Sequence, residues 1–271
     1  MDTIQFAGGA PSLWIFLEGA MFMILPIVLL IVWKVKTHEK ILPVVIGAVT
    51  WLAFAIILKL APAYFLLSAD NPLAKTISGS VWLTCLVAGI LAGVFEETGR
   101  FLAFKIVLKK FTHRRASISY GIGHGGFESF YVGFQILSIG VIILLLNSPL
   151  SDMITASMSE SELSLLTSQL APYADVSLFN SFLGVFERIF AITIHISLSV
   201  LVFASVREKR FIWLYPFAII IHTLFDFSIV FYQAGFITDW MLELCFAAFA
   251  AAVALYARGI YKKLKASNIS A

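Results

Sequence analysis

The sequence predicts an all-α fold, a polytopic transmembrane helical bundle of about seven helices, and three observations predict it. Of the 271 residues, 60% are hydrophobic and only 13% charged, with a mean hydropathy of +0.94, far from a soluble globular average. Apolar runs lie near 12–33, 41–67, 80–108, 118–147, 179–206, 211–234 and 239–262, each at or above the roughly 20 residues that cross ~30 Å of hydrocarbon. Lys and Arg gather in every second connection, the pattern of a chain that crosses the bilayer back and forth.

Taken in order, the first run follows Met1-Asp2-Thr3 with no basic stretch before it and no small-x-small site ending it, so a retained helix is expected and no signal peptide. Lys34, Lys36 and Lys40, then Lys109, Lys110, Arg114 and Arg115, then Arg207, Lys209 and Arg210, then Arg258, Lys262, Lys263 and Lys265 mark the cytoplasmic side. The remaining connections carry Asp2, Asp70, Asp152, Glu160, Glu162, Asp175 and Asp239 against Lys75 alone. The N terminus is therefore expected outside and the C terminus in the cytoplasm, in a multi-pass protein of the cytoplasmic (plasma) membrane. The net charge of +3 follows from this topology and implies no nucleic-acid partner.

The loops are too short for a soluble domain, so residues 1–271 are expected to form a single integral membrane domain. The segment 148–178 is the long non-spanning stretch. Met153, Met158, Leu163, Leu165, Leu166 and Leu170 punctuate its Ser, Thr and acidic residues, which fits either an amphipathic helix on the outer surface or a polar outer loop. Cys85 and Cys245 fall within spans with no CxxC or histidine spacing, so packing roles are expected.

Chemistry-bearing residues interrupt the apolar runs. Glu96-Glu97-x-x-Arg100, His124-x-x-x-Glu128, Glu187-Arg188, His195 and His222-x-x-x-Asp226 all lie where lipid would otherwise be met. Each ionisable group at the bilayer centre costs at least ~2.5 kcal/mol even on forgiving scales, so a shared polar cavity is required. Residues four apart share a helix face, which groups His124 with Glu128, His222 with Asp226 and Glu96 with Arg100. Counted at ~1.5 Å per residue from the cytoplasmic helix ends, Glu97, His124, Glu128, His195 and His222 fall at similar depth.

An internal echo joins two of these motifs. Gly93-Val94-Phe95-Glu96 recurs as Gly184-Val185-Phe186-Glu187, and the His124 and Glu128 pair recurs as His222 and Asp226, as in membrane proteins built from repeats. Glu187-Arg188 sits nearer the outer helix end and is read as a structural pair. Glu18 and Glu243, near the outer boundary, are expected to snorkel to water.

Hydrolysis is the chemistry these residue types permit. Glu96 beside Arg100 can accept a proton from water. Either His124 positions that water while His222 and Asp226 stabilise the developing oxyanion, or His124, His195 and His222 with a carboxylate hold a metal ion, for which Zn has suitable ligand types. No close-spaced histidine pair such as HExxH supports the metal version.

Glu96-Glu97-x-x-Arg100, Tyr120-x-x-x-His124-x-x-x-Glu128 and His222-x-x-x-Asp226, in this order on successive helices, resemble the YhfC family of intramembrane proteases. The pattern is also similar to the related PrsW proteases (EExxK, FxxxE, HxxxD) and to the CAAX-processing and bacteriocin-processing proteases (EExxxR, FxxxH, HxxxN). The resemblance covers 80–235 and implies a catalytic four-helix core there. By it, Glu96 is the water-activating base, Glu97 and Arg100 support it, His124 orients the water, His222 and Asp226 serve the oxyanion, and Glu128 matches the PrsW acid. The Glu-Glu-x-x-Arg spacing is one residue shorter than in the CAAX group, Tyr120 replaces their Phe, and His195 and Glu187 have no counterpart in the shared pattern. These departures favour the YhfC branch, leave prenylated substrates in doubt and keep a metal site open.

The expectation is thus an intramembrane peptidase, glutamic-type or metalloprotease, acting on a membrane-embedded or lipid-anchored peptide or protein. A proton- or cation-coupled transporter uses the same residue types, and a silent scaffold is a third class, since fold alone does not give activity.

Overall fold

The structure, a computed structural model, describes residues 13–173 and 176–265. The start Met1-Asp2-Thr3 and the acid Asp175 lie outside the described residues. Seven helices are long and apolar enough to cross a membrane: α1 (Leu13–Thr37), α2 (Leu42–Leu67), α3 (Val81–Val107), α4 (Arg115–Leu146), α5 (Leu178–Arg207), α6 (Lys209–Gln233) and α7 (Asp239–Lys263). No strand occurs among the described residues. Several helices run past the apolar runs that predicted them, because outside the hydrocarbon the unpaired groups of a helix end can bond to water and side chains.

The chain divides into two compact units, one of residues 1–25 and 129–188, the other of 26–128 and 189–271. In the first, Ile15 and Phe22 of α1 and Ile136, Ile143 and Leu146 of α4 form an apolar cluster with Leu170. Leu170 ends the helix Glu160–Leu170, which begins on a reciprocal cap between Ser159 and Glu162. The described residues of the 148–178 segment are thus largely helical, with α-helices at Ser151–Thr155 and Glu160–Leu170. Ile154, Leu166 and Tyr173 pack on the same cluster, whereas Met153 and Leu165 face outward. Glu18 is half-buried, and a Cβ added to Gly184 would lie 2.5 Å from its Oε1. The absent side chain leaves room for the carboxylate. Glu243 in the other unit also keeps one carboxylate oxygen buried.

The larger unit has its core at the ends of α3 and α4, the second half of α5, and α6 and α7. Helix α5 is the most enclosed of the seven, with 72% of its apolar window buried against 22–33% for the others. The sequence explains how helices come close enough here. A Cβ on Gly123 of α4 would meet the Val44 carbonyl oxygen of α2 at 1.9 Å, and one on Gly93 of α3 would meet the Ile219 carbonyl oxygen of α6 at 2.8 Å. Small residues allow such backbone approach in membrane helices. Two π-helical stretches, Leu52–Leu58 in α2 and Ala103–Val107 in α3, shift the side-chain register relative to an α-helix.

The ends of these helices that carry Lys and Arg are tied together. Arg207 donates through Nη2 to the carbonyls of Phe104, Leu108 and Phe111 at 3.1, 2.8 and 3.1 Å. Phe104 lies in the last turn of α3 and Leu108 and Phe111 just beyond it, where a helix terminus leaves carbonyls for a basic side chain to cap. Glu39, after α1, bonds His113 at 2.8 Å, in the connection leading to α4.

Candidate active site

All residues of the site belong to the larger unit. Helix α3 carries Glu96, Glu97 and Arg100 on its buried side, brought against α6 by the close approach at Gly93. Helix α4 brings His124, and Tyr120 one turn earlier packs its ring between Phe104 (4.6 Å) and His124 (5.8 Å), which fixes the imidazole plane. A Cβ on Gly125 would lie 2.8 Å from His195 Cβ, so α5 delivers His195 directly beside His124. The ring centroids of His124 and His195 are 5.0 Å apart, and those of His195 and His222 5.4 Å.

Glu97 is the hub of the closed side. Its two carboxylate oxygens accept from Arg100 Nη1 at 2.5 and 2.6 Å, and Oε1 also accepts from His222 Nδ1 at 2.7 Å. With Nδ1 donating to a carboxylate, His222 keeps its lone pair on Nε2, which faces Asp226 Oδ2 at 3.7 Å and Glu96 Oε2 at 4.0 Å. Arg100 Nη2 stands 3.1 Å from His195 Nδ1. A guanidinium only donates, so His195 accepts there and its Nε2 gives its proton to Glu128 Oε2 at 2.7 Å. Trp51 of α2 donates to the same oxygen at 3.1 Å.

Glu96 is bonded by His124 Nε2 at 3.1 Å, and its other oxygen lies 3.8 Å from Lys59 Nζ. Because His124 Nε2 donates, its Nδ1 is an acceptor, buried and without a partner. Exposure separates a floor from a rim: the side chains of Glu96, Glu97, Arg100, His124, His195 and His222 are at most 6% exposed, whereas Lys59, Glu128 and Asp226 are 26%, 19% and 36% exposed.

The expected pairings differ from this network in two places. Arg100 pairs with Glu97, three residues away, and not with Glu96; the helix turns Glu96 toward His124 and leaves Glu97 facing α5 and α6. His124 and Glu128 share a face as expected but bond to different partners, Glu96 and His195. The donors that come within 4.8 Å of one another are Glu96, His195 and His222; His124, expected beside them as a third imidazole, lies outside this grouping and bonds Glu96. Glu187 and Arg188 pair with each other in the smaller unit and take no part.

Residues 21–246 match the family described as YhfC intramembrane metalloprotease. The chain belongs to the YhfC family. It is also 29% identical over 241 residues to a Bacillus subtilis (strain 168) protein named "Uncharacterized membrane protein YhfC", covering 89% of this chain and 92% of that one. No solved structure matches. That relative is named a membrane protein; this YhfC-family chain, with its seven apolar helices, is a multi-pass membrane protein, and every residue of the site falls inside the matched span.

Two residues beside the site lie outside the sequence motifs. Trp51 and Lys59 both come from α2, outside the expected 80–235 core. Lys59 had a signal: it is the one charged residue between Leu42 and Leu67, and an intramembrane charge is a site candidate in its own right. Trp51 had none, because an indole in an apolar run looks like packing.

The donor set suits a metal ion. One carboxylate and two imidazoles, all buried, are the ligand types of a catalytic zinc site with a position left open. His222 donates its Nδ1 proton to Glu97, the kind of carboxylate contact that fixes a metal ligand's tautomer. Four carboxylates (Glu96, Glu97, Glu128, Asp226) face two cations (Arg100, Lys59). With neutral imidazoles, a divalent cation would cancel the remaining double negative charge, and burial strongly favours that balance. His195 fits less directly, since its bond to Arg100 must be exchanged for it to ligate through Nε2 as a neutral imidazole.

Proposed function

We propose that this chain hydrolyses a peptide bond of a membrane-embedded or lipid-anchored substrate, as an intramembrane metalloprotease. The observation that carries this reading is the convergence of Glu96, His195 and His222 within 4.8 Å, backed by the Glu97–Arg100 pair and open on one side through Lys59, Glu128 and Asp226. A transporter relay needs polar groups continuing toward both membrane faces; here they close on a floor of fully buried Glu97 and Arg100.

Glu96, His195 and His222 would hold the ion. When bound, it supplies Lewis acidity at a carbonyl oxygen and acidifies water. Around it the chain's own groups divide the work. Glu97, itself held by Arg100, fixes the angle of the His222 imidazole before charge develops. His124 keeps one oxygen of Glu96 occupied and thereby aims the other. Asp226, the most exposed of the four carboxylates and beyond hydrogen-bonding distance of His222 Nε2, is free to take the proton of the attacking water and return it to the leaving amine as the C–N bond breaks. Lys59, at the rim beside Glu96, can donate to the carbonyl oxygen of the bound peptide.

A second version is favoured by the direct His124–Glu96 bond: Glu96 itself takes the proton, held in place by His124, without an ion. Elemental analysis of the purified protein beside His195→Ala and His222→Ala, with cleavage of a membrane-anchored peptide, separates them. Near-stoichiometric metal lost in both variants along with cleavage supports the metal version. Cleavage by metal-free protein sinks it and leaves Glu96 as the base. Absence of cleavage with metal present would count against protease activity.

A further inference from the structure

At the Lys- and Arg-bearing end of the larger unit lies a cavity of about 550 Å³, lined in part by Arg207, Lys209, Arg210 and Lys265, with Glu208 as the one acid. Glu208 is taken up by Arg210 at 2.9 Å, so three of the four positive charges lack a counter-charge within the lining. Phe203 and Leu264 supply an apolar wall, and Thr112 adds a hydroxyl from the connection before α4. Chain segments distant in sequence therefore build one concave surface.

Its walls are anchored. The backbone N–H of Arg114 donates to the Lys265 carbonyl at 3.4 Å, and Arg207 is held by its three bonds to the carbonyls at the end of α3. Arg207 cannot swing out to water without uncapping that helix, yet its Nε is buried and has no hydrogen-bond partner. A buried donor left unmade costs about 1–3 kcal/mol, and like charges gathered in a concavity repel. The topological bias that places cations at one membrane face accounts for Lys262 and Lys263 on the same end. It does not account for a cavity lined by cations from separate segments, one of which carries a buried unpartnered donor.

We propose that this cavity binds a phosphate-bearing anion, with the phosphate between Lys209, Arg210 and Lys265 and the adjoining part of the ligand against Phe203 and Leu264. The volume is that of an ordinary small-ligand site. A phospholipid headgroup and a soluble phosphate compound share this chemistry. Either would sit beside the carbonyls that Arg207 caps at the end of α3, the helix that carries Glu96 and Glu97.

The test uses the full-length protein in neutral detergent, with thermal unfolding followed during titration by inorganic phosphate and, in parallel, by short-chain phosphatidylglycerol or phosphatidylcholine. The variant is Lys209→Gln with Lys265→Gln, which spares Arg207 and the Arg210–Glu208 pair; the control is Lys262→Gln with Lys263→Gln. Saturable stabilisation by phosphate, weakened on the order of fivefold per cation removed and unchanged in the control, supports a soluble ligand. The same pattern confined to phosphatidylglycerol supports a lipid. Absence of saturable binding in both arms, or an equal loss in the control pair, overturns the site. If the double variant fails to fold, Lys265→Gln alone gives the same comparison at one charge.

Discussion

Gly93-Val94-Phe95-Glu96 and Gly184-Val185-Phe186-Glu187 are the same four residues in two helices, and they end in different places. Glu96 is 6% exposed, with His124, Lys59 and His222 around it; Glu187 is 35% exposed and paired with Arg188 beside it in the chain. Gly93 lets α6 close against α3, whereas the space at Gly184 is filled by Glu18. A glutamate in an apolar helix becomes reactive through what its neighbours bring to it. The His124 and His222 half of the internal echo does converge on one site; the glutamate half does not.

The sharpest break between the two glutamates is catalytic. Glu96→Gln is expected to lower cleavage of a membrane-anchored peptide by about 10³-fold or more, as for loss of a ligand or base at the reacting centre, while Glu187→Gln stays within about twofold. Circular dichroism and size-exclusion profiles should be unchanged in both. Equal losses would mean that Glu96 acts through the fold alone. One step back from the reacting atoms, Glu97→Gln removes the partner that fixes His222 and should weaken metal affinity about 10- to 100-fold, read by competition with a chelator. Affinity equal to the native protein would exclude His222 as a ligand held by Glu97.

The close helix contacts are tested by stability. Gly123→Ala forces a Cβ to within 1.9 Å of the Val44 carbonyl oxygen, and backbone cannot yield as a side-chain tip can. A loss of about 1–3 kcal/mol is expected, seen as a lower thermal midpoint. Gly259→Ala in α7, where nothing lies within 4 Å, should be neutral or slightly stabilising. A neutral Gly123→Ala would show that α2 and α4 are not in backbone contact.

The spans and the motif residues were legible because both follow from one-dimensional rules: about twenty apolar residues cross a bilayer, and charge inside such a run needs a reason. The pairings were not legible. Whether Arg100 takes Glu96 or Glu97 depends on how α3 is rotated toward α5 and α6, and spacing within one helix does not contain that rotation. Lys59 follows the π-helical stretch Leu52–Leu58, so a 3.6-residue period misplaces its face. Gly93 and Gly123 had no visible role until the partner helix was known.

Lys59 carries the next prediction. Lys59→Met should reduce kcat/KM about tenfold, and Lys59→Arg should recover part of it, because a donor at the rim matters only when a carbonyl is present. Unchanged kcat/KM in Lys59→Met would reduce the residue to a neutralising charge for Glu96.

The smallest effect lies in the unit that lacks the site, at an exposed helix cap. The Ser159 backbone N–H donates to Glu162 at 2.7 Å and holds its carboxyl below the usual glutamate range. The charged form is thus favoured in the folded helix, so this support is fully present at neutral pH and disappears as pH falls through the lowered value. Hydrogen exchange should show the amides at the start of Glu160–Leu170 losing protection in acid, and Glu162→Gln should show little of that pH dependence. If the native helix keeps its protection there, packing of Leu170 and Leu166 on the apolar cluster, rather than the cap, orders the segment.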